Sequence, residues 1–337
     1  MRYSLLFFAN QDEGDARSRY ELLVDSAIFA DQHGFEAIWL PERHFHPFGG
    51  AFPNPALAAC VVAAKTSRLR IRAGSLVLPL HDVLTAAEDW SVVDNVSAGR
   101  IDLSFAIGWN ANDFVLAPQR YADRRAETFR MAQEFDELWK GRSIRRTNGK
   151  DEEVDIQIFP QPVQPELRYW LTCTASPERF VEAGEHDFNV LTALLFQTPA
   201  ELKKNVDAFR AACPRGGPRR QVTLMLHTYL GRSVDEVREV VRGPFMKYLA
   251  SSTSLWYGRL GGLDIPEIQS RNLLLSFAFQ RYFTSAALFG TVDSCRPFIS
   301  ELAKAGIDEI ACLIDFGLPN DVVLAGLSHI AQLAGDS

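Results

Sequence analysis

The chain has 337 residues, 47% of them hydrophobic and 23% charged, with a formal net charge of −7. That balance excludes a disordered or collagen-like polymer, and the length suits two average domains or one α/β barrel. The acidic charge and the absence of any Lys/Arg run exclude a nucleic-acid footprint, and no apolar run is long enough to span a bilayer. Five scattered cysteines, Cys60, Cys173, Cys213, Cys295 and Cys312, read as buried thiols in a reducing cytoplasm rather than a disulfide framework.

In chain order, residues 3–9 read as a first strand, because the apolar run breaks at Asn10-Gln11-Asp12-Glu13 without the cleavage pattern of a signal peptide. Ser18-Arg19-Tyr20-Glu21 reads as a capping box, followed by an apolar helix face of Tyr20, Leu23, Val24 and Ala27. Gly34 ends that helix, and an acid and a short apolar run follow it to Leu40. The same unit recurs from Gly184 to Leu191 and from Gly306 to Ile314, with glycine placed where the left-handed conformation releases a helix into a strand. The runs 69–78, 101–107, 169–173 and 222–230 are near-continuously apolar, as in parallel strands covered on both faces. Thr198-Pro199-Ala200-Glu201 opens a further helix with proline at its first position.

Two stretches stand outside this repeat. Residues 143–159 are polar with weak alternation and read as a surface hairpin or loop, and residues 243–269 read as an irregular insertion before a helical pattern over 273–288. Eight strands alternating with helices predict one (β/α)₈ TIM barrel with insertions, spanning residues 1–337, rather than an open doubly wound sheet.

In such a barrel the chemistry sits at the C-terminal strand ends. The stretch 41–55 is dense in aromatics, histidine and glycine, and reads either as a general acid/base with an aromatic wall or as a loop whose histidines cap backbone. His44 and His46 lack a third ligand at a recognisable spacing, which argues against a metal. Gly74 and Ser75 are small residues in a bulky strand, suited either to close approach of something planar or to a packing adjustment. Gly108-Trp109-Asn110-Ala111-Asn112-Asp113-Phe114 puts amides beside a flat apolar surface, as a heteroaromatic ring requires, with an Asx-rich turn as the competing reading. Thr174, Ala175 and Ser176 end a strand and open a helix at Pro177, with Ser176 as N-cap; free amides there suit a phosphate. The phosphate loop of kinases, the Rossmann glycine fingerprint and the hydrolase nucleophile elbow are all missing.

Together, Trp39-Leu40-Pro41-Glu42-Arg43-His44-Phe45 with Asn54-Pro55, Gly74 to Pro79, Glu88-Asp89 through Asp94-Asn95-Val96-Ser97-Ala98-Gly99-Arg100, and the segments at 108–114, 174–177 and 290–291 resemble the bacterial luciferase-like monooxygenase superfamily over nearly the whole chain. The segments 108–114 and 306–317 are most similar to the branch associated with polyketide and nonribosomal peptide assembly, and so with antibiotic biosynthesis. The resemblance implies reduced FMN delivered by a separate flavin reductase, oxygen activation on it, and transfer of one oxygen atom to a small-molecule or carrier-protein-tethered substrate. It also implies a homodimer. Gly74-Ser75 would be a non-proline cis peptide under the flavin ring, Asn110 would face the ring, and Thr174, Ala175 and Ser176 would hold the phosphate. Phe45, Phe48, Phe52 and Trp109 would exclude water. The family carries a His-His pair after the glutamate; here the first is Arg43 and only the second remains, as His44. Arg43 or His44 would then steady the reactive oxygen anion or move a proton. A deazaflavin-dependent oxidoreductase of the same fold and a catalytically silent flavin-binding partner subunit are the competing readings.

Overall fold

The computed structural model describes residues 1–8, 16–257 and 268–335. The chain opens with β1 (Arg2–Leu6), α1 (Ala16–Gln32), β2 (Ala37–Leu40), α2 (Pro55–Lys65), β3 (Arg70–Leu76), α3 (Val83–Ser97) and β4 (Ile101–Phe105). Next come α4 (Arg124–Trp139), a hairpin of β5 (Ile144–Thr147) and β6 (Glu153–Ile156), β7 (Tyr169–Thr172), α5 (Pro177–Glu185), β8 (Asn189–Ala193) and α6 (Pro199–Ala212). The rest is β9 (Val222–Leu230), α7 (Val234–Tyr257), α8 (Ile268–Ser285), β10 (Leu288–Gly290), α9 (Val292–Lys304), β11 (Glu309–Leu313) and α10 (Asn320–Gly335).

The parallel order β11-β1-β2-β3-β4-β7-β8-β9 closes through β9 pairing with β11, which makes the eight-stranded (β/α)₈ barrel expected from the sequence. Its eight strands are the eight runs read above, and their burial on both faces explains why they are nearly unbroken apolar sequence. The short β10 adds to the end of β9 and was not read from the sequence, because three residues between two helices carry no period. The 143–159 stretch is an antiparallel hairpin with alternating exposure outside the barrel.

Several local expectations need correction. Ser18 does not cap α1: it lies inside the helix, its backbone and side-chain oxygens accept from Asn320 Nδ2, and Glu21 pairs with Arg17 instead. Gly34 (φ 76°) and Gly306 (φ 92°) do take the left-handed conformation. Gly184 does not; Asp187 takes it (φ 63°), and Gly184 is small because a Cβ there would come within 2.8 Å of Phe209 O and 2.9 Å of Ala212 Cβ, where α5 packs on α6. The 243–269 stretch is not irregular at its start, since α7 runs on through Pro244 to Tyr257. Val237, Val241, Phe245, Tyr248 and Leu249 bury one helical stripe, and that burial outweighs the backbone bond that proline removes. Residues 258–267 of that stretch lie outside the described residues. The Thr198 capping box is present, with both reciprocal bonds to Glu201.

The lower interior of the barrel, toward the N-terminal strand ends, is filled by a closed ionic layer. The Arg72 guanidinium donates to Asp102, Glu309 and Glu36, and its Cζ lies over the mutually perpendicular rings of Trp39 and Trp170, at 4.8 and 4.7 Å from their centroids. Asp102 also accepts from Arg70 and Arg168, and Glu309 from Ser4. Above this layer the interior turns apolar and hydroxylic, and the strand ends open to the loops.

Candidate active site

The C-terminal end of β2 runs straight into Glu42, whose side chain is fully buried. Its carboxylate accepts from the Val77 amide at 2.7 Å and from His44 Nε2 and His81 Nε2 at 2.8 Å each. Burial pushes this carboxyl up, but hydrogen bonds from His44 and His81, the His81 charge and the Val77 amide more than reverse that, leaving it below its ordinary value. His81, in turn, is depressed by burial yet raised overall by its bond to Glu42. The pair is therefore held as carboxylate and imidazolium between the lowered Glu42 value and the raised His81 value. Beyond those limits its contribution is lost, as pH falls through the first or rises through the second.

Arg43 comes next and is 5% exposed. Its Nη1 donates to Asp113 Oδ2 at 3.1 Å and its plane lies 5.0 Å from the Trp109 ring centroid. Asn110 donates to Asp113 Oδ1 at 2.7 Å and takes the Asn112 amide on its own oxygen, so its side chain braces Asp113 and forms the turn expected of an Asx-rich segment. Burial raises the Asp113 carboxyl, with Arg43 and Asn110 opposing.

His44 and His46 part company. His44 stays with Glu42, 12% exposed, while His46 Nδ1 accepts the Phe48 amide, which is the backbone-capping role. Among the described residues no group of three His, Cys, Asp or Glu side chains is arranged to hold a metal. The aromatic wall also splits. Phe48 packs on Phe8 and Tyr248 at the mouth, Phe45 projects outward at 64% exposure, and Phe52 sinks to 1% beneath Phe7 and Tyr20, so it cannot line a site.

The Gly74–Ser75 peptide bond is cis. Gly74 is small because Trp39 lies against it: a Cβ would come within 3.0 Å of Trp39 Cβ. Ser75 Oγ donates to Ser104 Oγ at 2.9 Å and also contacts Thr172 Oγ1, giving a patch of three hydroxyls across β3, β4 and β7. Ser104 and Thr172 were not singled out in the sequence; their alternation within two apolar strands was the available signal.

At the β7–α5 turn, Thr174 is exposed and Ala175 and Ser176 are half-buried. Ser176 is the N-cap residue, but its hydroxyl does not cap the helix; it donates to Glu178. At the start of α5, Pro177 has no N–H, the Glu178 amide meets its own carboxylate, and the Arg179 amide donates to Ser176 O at 3.1 Å. Near this turn Arg179 and Arg125 both pair with Glu182 of α5, and Arg124 donates to Gly108 O and Tyr121 O. The sequence reading missed these arginines. A helix N-terminus with cations beside it is a donor set that fits a phosphate. The hydroxyl patch at Ser75, Ser104 and Thr172 fits the polar edge of a flavin, whereas the Asn110 amide is spent on Asp113 and the Asn112 backbone.

Across the mouth, His227 at the end of β9 sits among Phe245, Tyr248, Tyr282 and Phe316, with ring centroids 4.8 to 6.0 Å away. Its Nε2 has no partner among the described residues, and burial pushes the imidazole down to about 3. Asp315, beyond β11, accepts the Phe8 amide and is pushed up to about 7 by burial. A hollow of about 350 Å³ lies under the 43–53 loop, lined by Arg43, His44, Phe45 and Pro53 among others. A polar hollow of about 440 Å³ at the opposite end, lined by Arg2, Glu36 and Asp308, is remote from these groups.

A (β/α)₈ barrel with a helix N-terminus, a hydroxyl floor and buried ionisable groups at its C-terminal mouth has the parts from which cofactor sites are built. A profile of the family described as luciferase-like monooxygenase matches residues 1–309. The chain belongs to that family and is a flavin-dependent monooxygenase, an oxidoreductase. It is 27% identical to the flavin-dependent trigonelline monooxygenase, oxygenase component, of Acinetobacter baylyi, over 98% of this chain and 93% of that protein. In fold it is similar to monooxygenase RslO1 from Streptomyces bottropensis, with TM-score 0.81, 20% identity, and 100% and 99% of the two chains covered. The oxygenating constituent of 3,6-diketocamphane monooxygenase from Pseudomonas putida, in complex with FMN, superposes with TM-score 0.80 at 17% identity over 100% and 98% of the chains. Among the described residues no helix is long and apolar enough to cross a membrane.

Proposed function

We propose that this protein is the oxygenase component of a two-component system, taking reduced FMN from a separate flavin reductase and transferring one atom of oxygen to an organic substrate of polyketide or nonribosomal peptide biosynthesis. The observation that carries the reading is the pairing, at one barrel mouth, of the α5 N-terminus, with Arg179 and Arg125 beside it on Glu182, and a hydroxyl floor at Ser75, Ser104 and Thr172. The relative of Acinetobacter baylyi is named as an oxygenase component, which supports the need for a reductase.

Reduced FMN, when bound, supplies the electrons that activate oxygen. The protein's own share is binding, orientation, water exclusion and proton handling. Arg124, Arg125 and Arg179, with the amides after Thr174, Ala175 and Ser176, hold the phosphate. Ser75 and the Asn110 loop meet the ring, and Phe48, Trp109 and Tyr248 keep the mouth dry. Glu42 fixes His44 and His81 by their Nε2 atoms, so His44 is the oriented imidazole that moves a proton at the mouth.

The test is to mix the protein anaerobically with reduced FMN, admit oxygen, and follow the near-ultraviolet spectrum. A long-lived band distinct from both oxidised and reduced FMN is the expected result. Return to oxidised FMN at the rate of the free flavin contradicts the reading and favours a silent flavin-binding subunit. Tighter binding of the deazaflavin coenzyme than of FMN favours hydride transfer.

A further inference from the structure

Arg43 is a buried cation with half of its hydrogen-bonding capacity unused. The side chain is 6% exposed, yet Nε and Nη2 have no partner among the described residues. These two atoms form one edge of the guanidinium, the side-on fork whose parallel N–H bonds match the two oxygens of a carboxylate. The other edge is committed through Nη1 to Asp113, and one face lies over Trp109. Leaving buried donors unpaired is unfavourable, and Arg43 also belongs to the lining of the hollow at the 43–53 loop, so this buried edge is prepared for an acceptor that enters beneath the loop.

We propose that the Nε–Nη2 edge of Arg43 is the seat of a carboxylate on the substrate, so that the enzyme acts on an organic carboxylate with an apolar body. The assignment of that carboxylate to the substrate rests on the monooxygenase reading above. Three observations fix the chemical class. First, Nη1 is already spent on Asp113, so what remains is one planar edge with parallel Nε and Nη2 donors, which matches the two oxygens of a carboxylate. Second, the fork is fixed in place. Asp113 holds one edge, Trp109 one face, and a Cβ at Gly49 would come within 3.1 Å of Arg43 Cγ, so only glycine lets the loop close over the stem. Third, the hollow of about 350 Å³ beside it is lined by Phe45, Pro47 and Pro53, which fit an apolar body. Lysine would not serve here, because a point charge lacks the planar pair of donors.

The test uses the full chain without flavin and two probes of equal shape, benzoate and its uncharged counterpart benzamide, titrated by calorimetry. Benzoate is expected to bind about 10- to 100-fold more tightly than benzamide, as charge-assisted bonds to a buried fork imply. Arg43→Met should abolish that preference while still binding FMN, which shows that the variant is folded, and Arg43→Lys should recover only a minor part of it. A parallel titration with FMN separates the two claims. If FMN binds and benzoate shows no preference, or Arg43→Met binds benzoate as the parent does, the carboxylate seat is refuted and the flavin reading stands. If benzoate binds through Arg43 and FMN does not bind at all, the flavin reading fails and the seat stands. Displacement of FMN by benzoate would make the fork a flavin-phosphate site and overturns the proposal.

Discussion

Arg72 and Arg43 are both buried guanidinium groups lying on tryptophan, and they differ in what they leave open. Arg72, at 0% exposure, has each of its three nitrogens on a carboxylate and its Cζ over the rings of both Trp39 and Trp170. Arg43 has one nitrogen on Asp113, one face on Trp109, and two nitrogens idle. The first belongs to the lower interior and the second to the mouth. The same contrast holds for the groups around them: Glu309 and Asp102 below are fully compensated, while His227 and Asp315 above are displaced to about 3 and about 7 by burial. A (β/α)₈ barrel spends its lower end on stability and its upper end on function, and here the ionic layer below is closed while Arg43 and His227 above keep unpartnered nitrogens among the described residues.

The comparison can be broken most severely at its lower member. Arg72→Met strands Glu309 and removes one partner of Asp102, and should cost about 3–5 kcal/mol, read as a large fall in the urea midpoint. A midpoint within error of the parent would mean that the ionic layer is not what holds the barrel's base. A smaller effect is expected at the mouth from His227→Phe. His227 titrates lower folded than unfolded, so between its ordinary value and about 3 the unfolded chain binds a proton that the native protein refuses. Stability contributed by the neutral ring is therefore intact above that window and lost as pH falls into it. The parent should lose on the order of 2 kcal/mol between neutral pH and pH 5 that the phenylalanine variant does not lose. Equal acid sensitivity in the two proteins would show that the imidazole is solvated rather than caged.

The barrel was largely legible because a strand covered on both faces must be apolar throughout, so Leu103, Val190 and Ile310 announce their strands locally. The ends of elements were less legible. Ser18 followed by Glu21 satisfies the capping pattern, but the helix starts earlier and the pattern falls inside it. Residues 243–269 read as irregular, but the buried stripe through Phe245 and Leu249 carries α7 on to Tyr257, and that stripe is set by the partners of α7 rather than by local propensity. At the site, residues within one strand end were found together, as Arg43 with His44 and Trp109 with Asn110. What reasoning along the chain missed was contributed by other loops: His81 on Glu42, Asp113 as the partner of Arg43, and Arg125 of α4, which shares Glu182 with Arg179. Such pairs are products of barrel closure. The strand-end rule could have flagged His81, five residues past β3, because histidine there has only the mouth to face.

The central claim is a division of labour at the mouth, with flavin phosphate at the α5 turn and the Arg43 fork left for the substrate. Anaerobic titration of reduced FMN against the parent, Arg179→Met and Arg43→Met tests it directly. The account predicts that Arg179→Met weakens reduced FMN by about tenfold or more, as loss of a charge-assisted phosphate contact implies, while Arg43→Met binds it as the parent does. The reverse pattern, with Arg43→Met losing the flavin and Arg179→Met keeping it, would contradict the account.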